Sequence, residues 1–190
     1  IVASDHAPHT LEEKSGIYPN TPSGTPGVQT LLPIMLNHAA EGKLSYERLV
    51  DLMAYGPIKV HKIKNKCSII KDYDADFTIV DPNLTHTISN AEQASKSAWT
   101  PYDGKKVKGM PVMTIIRGNI VMRDGELLDK IQVKPIEFEL NQGTGSWPQP
   151  PHGWHLIILL KANQLPLKGP YFWIASTAYC EHVGVKRQLG

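Results

Sequence analysis

The sequence is short of several things, and each shortage removes a class of protein. It has two cysteines, Cys67 and Cys180. Two cannot build a disulfide framework, so a reducing compartment and a cytoplasmic protein are the expectation. It has no excess of one charge: the formal net charge is +2, too small to leave the basic footprint that nucleic-acid binding requires. No run of like charges marks a tail or a membrane patch. The longest apolar run, Leu156 to Leu160, is far below the ~20 residues that span a bilayer. No charged region precedes an apolar one at the start, so no secretory signal is read there.

What is present concentrates in the first nine residues, Ile1-Val2-Ala3-Ser4-Asp5-His6-Ala7-Pro8-His9. Ile1 to Ala3 is a short apolar, β-branched run that stops at Ser4-Asp5, and it reads as a strand buried on both faces. A carboxylate at the carboxyl end of such a strand is where α/β folds place their chemistry. Asp5, His6 and His9 on one Pro-stiffened loop suit a metal site or proton transfer. The same residues also suit a plain turn cap and an ordinary buried histidine. A strand at the very first residue has no predecessor to pair with, so the chain is expected to be the C-terminal part of a longer protein.

His6 to Thr25 carries Pro8, Gly16, Pro19, Pro22 and Gly24 and little periodicity. A loop that long in a compact domain suggests an active-site lid, with a mobile surface loop as the plain alternative. Thr25-Pro26 reads as a helix N-cap with proline at the first helical position. Val28, Leu31, Leu32, Met35, Leu36 and Ala39 then recur on one face. Pro33 should kink that helix or loosen its first turn, and Gly42 ends it. Free N–H groups at its start and the glycines Gly24 and Gly27 suit the approach of an anion, or an ordinary turn. Ser45 caps a second helix, with Leu44 and Leu49 as a hydrophobic staple and Leu49, Leu52 and Met53 facing inward. Tyr55-Gly56-Pro57 is expected to stop it, with one more turn at Ile58 to Val60. Lys62, Lys64 and Lys66 read as a solvated surface.

Beyond Lys66 the period becomes strand-like. Cys67 to Ile70 is a short apolar piece. Ala75 to Asp81 reads as a strand closed by Pro82, with Phe77 and Ile79 on one side and Asp76 and Thr78 opposite. Asp74, Asp76 and Asp81 are expected to end turns and face solvent. Ser97 to Gly104 is irregular, its Trp99 and Tyr102 better explained by packing than by ligand stacking. Met113 to Arg117 and Ile120 to Arg123 form a hairpin through Gly118-Asn119, and Asp124-Gly125 makes a second turn before Glu126 to Leu128. Gly143 to Ser146 reads as a flexible linker stiffened by Pro148, Pro150 and Pro151. His152 and His155, or Cys180, Glu181 and His182, lack the spacing of a zinc site. The tail from 141 reads as an extension, or as sequence outside the fold.

Asp5-His6-Ala7-Pro8-His9-Thr10, followed by Glu12-Glu13-Lys14, resembles the last barrel-strand motif of the dihydroorotases, in the amidohydrolase superfamily of metal-dependent (β/α)8 barrels. Pro22-Ser23-Gly24-Thr25-Pro26-Gly27-Val28-Gln29-Thr30-Leu31-Leu32-Pro33 resembles that family's Gly-rich substrate loop and the helix it feeds. The resemblance covers roughly residues 1 to 140. It implies an α/β fold: residues 1–66 as the end of a TIM barrel, 67–140 as strands of a small β-sandwich, and 141–190 as linker and unassigned tail. It implies the zinc-dependent interconversion of N-carbamoyl-L-aspartate and dihydroorotate in pyrimidine synthesis, on one or two Zn2+ ions. The position of Asp5 in that family ligates a metal and carries a proton from the attacking hydroxide to the leaving ring nitrogen. His9 matches a substrate-binding position, and Ser23 and Gly24 match positions that contact the ring; His6 has no assigned role. The family's remaining ligands, chiefly paired histidines, would lie upstream, so the chain alone is expected to be inactive and to bind zinc poorly. A homodimer or a partner enzyme of the same pathway is possible within the family. Allantoinases and hydantoinases share the aspartate and the chemistry, and a non-catalytic dihydroorotase-like scaffold is the reading from another class.

Overall fold

The computed structural model describes residues 1–128, residues 135–139 and the backbone of Phe172–Ile174. Helices come first and strands second. A short helix α1 (Leu11–Lys14) sits inside the long loop. Then follow α2 (Leu31–Ala40), α3 (Tyr46–Val50), a π-helical turn at Asp51–Tyr55, and α4 (Gly56–His61). The strands are β1 (Phe77–Thr87), β2 (Lys106–Ile116), β3 (Asn119–Arg123), β4 (Glu126–Leu127) and β5 (Phe172–Ile174). They form one antiparallel sheet in the order β4-β3-β2-β1-β5.

Helices and sheet share a core. Leu32, Leu36 and Ala39 of α2 meet Leu49 and Met53, with Leu44 against them, and Val80 of β1 closes the cluster from the sheet. Leu44 and Leu49 thus stand on either side of the Ser45 cap, whose hydroxyl accepts the Arg48 N–H at 3.2 Å. A second cluster joins Ile34 to Ile88, Val107, Tyr102 and Met110. On β1, Ile79 packs with Val112 and Met113 in a third cluster. α2 approaches β2 so closely that a Cβ on Gly109 would stand 2.8 Å from the Leu36 Cβ. Asn37, buried on α2, fixes this contact. Its Oδ1 accepts the Lys108 N–H at 2.9 Å and its Nδ2 donates to Glu41 at 2.8 Å.

Several local expectations change. Ile1 to Ala3 is no strand: Ile1 is 56% exposed, and Val2 donates its N–H to the Leu52 carbonyl. A parallel strand buried on both faces needs strands on both edges, and none of the described strands runs beside this segment. The helix expected from Thr25 starts at Leu31, with Thr30 at its N-cap. Pro33 therefore occupies the first turn, where its missing N–H has no intrahelical role. Tyr55-Gly56-Pro57 does not stop the second helix. The chain widens into the π turn, where Gly56 N–H reaches back to Asp51 O, and continues to His61. A π turn is a common way to pass a residue that cannot bond four residues back.

β1 runs on through Pro82 to Thr87. The pairing slips between Asp81 and Thr85, and the Asp81 carboxylate accepts the N–H groups of Asn83 and Leu84 to shape the irregularity. Thr78 is as buried as Ile79, because it pairs with Thr114 inside the sheet rather than facing water. The hairpin turn is Arg117-Gly118, one residue earlier than expected, with Asn119 opening β3. The turn at Asp124-Gly125 lies where the sequence put it. Both turns hold two successive residues at positive φ, the geometry of tight two-residue hairpins.

Lys66 and its neighbours also depart from expectation. Lys66 is buried, its ammonium held by Asp76 and, at 2.7 Å, by Asp74. Asp76 accepts the Arg117 N–H at 2.7 Å, and Arg117 Nε lies 3.5 Å from Asp74. These aspartates clasp the end of the helical part to the hairpin. A lysine is almost never buried unless paired, and its two partners sit eight and ten positions on. Of the tail, the backbone of Phe172–Ile174 pairs with Thr78 to Val80. The linker at 143–146 and His152, His155, Cys180, Glu181 and His182 lie outside the described residues.

Candidate active site

Two loops make the site, and backbone bonds join them. Ala7 donates its N–H to the Thr25 carbonyl at 3.1 Å, and His6 and Thr25 form a parallel bridge. His6 Nδ1 accepts two N–H groups, from Gly27 at 3.1 Å and Val28 at 3.3 Å. An imidazole nitrogen that accepts carries no proton, so the neutral ring bears its hydrogen on Nε2. His6, left without a role by the sequence, is the pin between the two motifs.

Gly24 lets them touch. Its φ is +95°, and a Cβ there would stand 2.5 Å from the Ala7 Cβ. Any side chain would meet both a steric clash and a backbone region that L-residues avoid. Asp5 itself has φ +47°, a region that aspartate enters more readily than most residues. Its side chain is exposed, as is Ser23, while His9 is half-buried. Asp5 to His9 and Ser23 to Gly27 therefore lie side by side, as one surface built from two loops.

His9 is held at both ends. Its carbonyl accepts the Trp99 indole N–H at 2.6 Å, and its Nδ1 lies 3.6 Å from Glu13 Oε2. Glu13 belongs to a capping box with Thr10 at the start of α1. The Thr10 N–H, donated at 2.7 Å, keeps the Glu13 carboxyl below the usual glutamate range, with help from the Thr10 hydroxyl and His9. The lid-like stretch is thus ordered locally, with Lys14 Nζ donating to the Pro22 carbonyl at 2.7 Å and Thr21 Oγ1 to the Gly16 carbonyl at 2.5 Å. Its tip is apolar and exposed at Ile17 and Tyr18.

Two residues at this site were given no role by the sequence. Gln29 donates Nε2 to the Glu92 carbonyl at 2.9 Å and accepts the Ala94 N–H at 2.8 Å. Trp99 reaches His9 from 90 positions away. The sequence signal for Trp99 was the irregular aromatic stretch itself; Gln29 lay within the family-like loop motif, but nothing in that motif marked its amide as a tether. Among the described residues no group of three or more His, Cys, Asp or Glu converges as metal ligands do. Zinc needs three or four such donors. The described residues do not make up a metal site, and Asp5 can supply no more than part of one.

The sequence pattern of the amidohydrolase family matches residues 1–121. This chain belongs to the amidohydrolase family. Among curated relatives, the dihydroorotase of Pyrococcus furiosus is 43% identical over 130 residues, covering 68% of this chain and 30% of that enzyme. The dihydroorotase of Methanothermobacter thermautotrophicus is 39% identical over the same length, again 68% of this chain and 30% of that enzyme. Among solved structures, the L-hydantoinase of Arthrobacter aurescens superposes with TM-score 0.55 at 34% identity, over 57% of this chain and 25% of that one. A D-hydantoinase from Thermus gives TM-score 0.60 at 25% identity, over 65% and 28%. The amidohydrolase chain spans about 30% of the length of the curated relatives it matches. No helix among its described residues is long and apolar enough to cross a membrane.

Proposed function

We propose that this chain is part of a dihydroorotase, which interconverts N-carbamoyl-L-aspartate and dihydroorotate. The observation that carries the reading is the junction of the Asp5–His9 loop with the Ser23–Gly27 loop through His6, Ala7 and Gly24. In this reading residues 1–66 close a TIM barrel with its active-site loop and helices. Residues 67–140 contribute to a small β-sandwich beside it, and the tail adds one strand.

In hydrolysis, water's oxygen bonds to the ring carbonyl carbon and the ring C–N bond breaks. Asp5 takes the proton from the attacking water and delivers it to the departing ring nitrogen. In synthesis the same carboxylate runs the transfer in reverse. A carboxylate on an exposed loop suits this work because it can accept a proton from one reacting atom and return it to another. His9 donates to the substrate's carboxylate or a ring carbonyl. Ser23 and Gly24 hold the ring through their backbone. Zn2+, one or two ions, is the metal this reading calls for, with Asp5 as one ligand and the others from elsewhere in the full protein. A cytoplasmic enzyme, paired with itself or with another enzyme of its pathway, fits the reading.

A hydantoinase is the second reading, favoured by the solved structures that superpose on the fold. Seven curated relatives at 36–43% identity are dihydroorotases, which weighs the other way. Turnover of dihydroorotate, hydantoin and allantoin by the full-length protein decides. Preference for dihydroorotate is expected; preference for either other ring overturns the assignment. Turnover of none of the three points to a non-catalytic scaffold.

A further inference from the structure

The segment between β1 and β2 does more than connect them. It runs back to the site and grips both of its loops. At one end, the Gln29 amide, next to the Gly27-Val28 pair that His6 binds, spans the Glu92 carbonyl and the Ala94 N–H. At the other, the Trp99 indole donates to the His9 carbonyl at 2.6 Å. The segment is itself braced. Ser89 and Glu92 form a capping box, His86 Nε2 meets the Glu92 carboxylate at 2.7 Å, and Asn90 Oδ1 accepts the Thr100 N–H at 2.8 Å. Ile88, just ahead, is buried in the core cluster under α2. Both grips are therefore tied to the rigid part of the molecule.

A carbonyl that accepts a bond from a half-buried indole cannot rotate freely, and its residue's side chain is aimed accordingly. His9 follows Pro8 and precedes the α1 cap, so its backbone has no other long-range tether in the bonds described above. We propose that Trp99 is a positioning residue for substrate binding: its indole N–H fixes the His9 backbone, and Gln29 fixes the facing substrate loop. This rests on the assignment of His9 to substrate binding made above. Substrate affinity is then set partly by a segment that touches no substrate.

Trp99→Phe removes the donor and keeps an aromatic ring, though a smaller one. In the full-length protein it is expected to raise the KM for dihydroorotate about three- to tenfold, the scale of one hydrogen bond. The kcat should stay within about twofold, since a uniform binding contribution is lost. In a His9→Ala background the same change should leave KM unmoved. Amide exchange across residues 5–14 should quicken in Trp99→Phe, while exchange in β1 and β2 should not. An unchanged KM, a fall in kcat instead, or an equal KM rise without His9 each overturns the proposal. If the parent protein turns over no dihydroorotate, the functional assignment falls, and the exchange measurement alone decides whether Trp99 holds the loop. Should Trp99→Phe not fold, Gln29→Met tests the other grip, with faster exchange across 23–30 and a raised KM expected. Failure of both to fold would make these residues scaffold and sink the idea.

Discussion

At the scale of single residues, the proposed reading gives Asp5 the proton transfer and His9 the substrate contact. Asp5→Asn in the full-length protein keeps the shape and removes the base. It should lower turnover by about 10²–10⁴, the usual worth of a positioned proton-transfer group, and near-normal steady-state rates would remove Asp5 from the mechanism. His9→Ala should act on KM, by about tenfold or more for a charge-assisted bond to a carboxylate; an unaltered KM would strip it of its role. Gly24→Ala places a Cβ 2.5 Å from the Ala7 Cβ at φ +95°. It should cost about 1–3 kcal/mol in denaturant stability. Adding Ala7→Gly should recover the part due to the clash and leave the part due to the backbone. Asp5, His9 and Gly24 were singled out through the resemblance of their two motifs to a family, since residue type alone suited a plain turn cap as well. His6 was given no role, since nothing in a histidine's neighbours says that its nitrogen will cap a loop twenty-one positions away.

Among the elements, one polar cluster closes the end of α2 and another ties the segment after α4 to the hairpin turn, and each can be titrated or cut. Lys43 beside Glu41, with the Asn37 amide, holds the Glu41 carboxyl at about 2 against an ordinary 4.5. The folded state thus binds fewer protons there than the unfolded one. Its stabilising share is whole above pH 4.5 and fades as pH falls towards 2. The group is solvent-exposed, so the effect is modest and shrinks in salt. Glu41→Gln should flatten this stretch of a stability–pH curve, and an unchanged slope would place the acid sensitivity elsewhere. Lys66→Met removes the buried cation from two half-buried aspartates and should cost about 1–3 kcal/mol. A urea midpoint that hardly moves would mean the cluster is solvated. Local signals showed the body of α2, the Ser45 cap and the Asp124-Gly125 turn, and placed the other hairpin turn within one residue. Sequence periodicity misread Lys66, Asp74 and Asp76 because a lysine's burial is settled by its ion partners, here in the same irregular segment but brought together by a turn that no period marks. It ended β1 at Pro82 because proline normally closes a strand, whereas here an aspartate-shaped irregularity absorbs it.

For the molecule as a whole, the described residues bring no three metal-binding side chains together. Zinc titration of this chain by calorimetry should therefore show no stoichiometric site, and dihydroorotate should not turn over; tight one-to-one zinc binding would contradict this. The antiparallel sheet and its helical cover share one core, drawn from both Leu32 and Val80. The opening segment does not become the strand its composition suggests, since a buried parallel strand is a property of its neighbours more than of its own residues.

The bond between His6 and Gly27 closes a ring of only about twenty residues, whereas β5 must return to β1 from Phe172 to Val80. Short rings cost little entropy to close and long ones form late. The chemistry-bearing corner should then become ordered early in refolding, ahead of the sheet edge. In pulse-labelling, the amides of Ala7 and Gly27 would gain protection before that of Val80, so the business end of the chain would exist before the fold that carries it is finished.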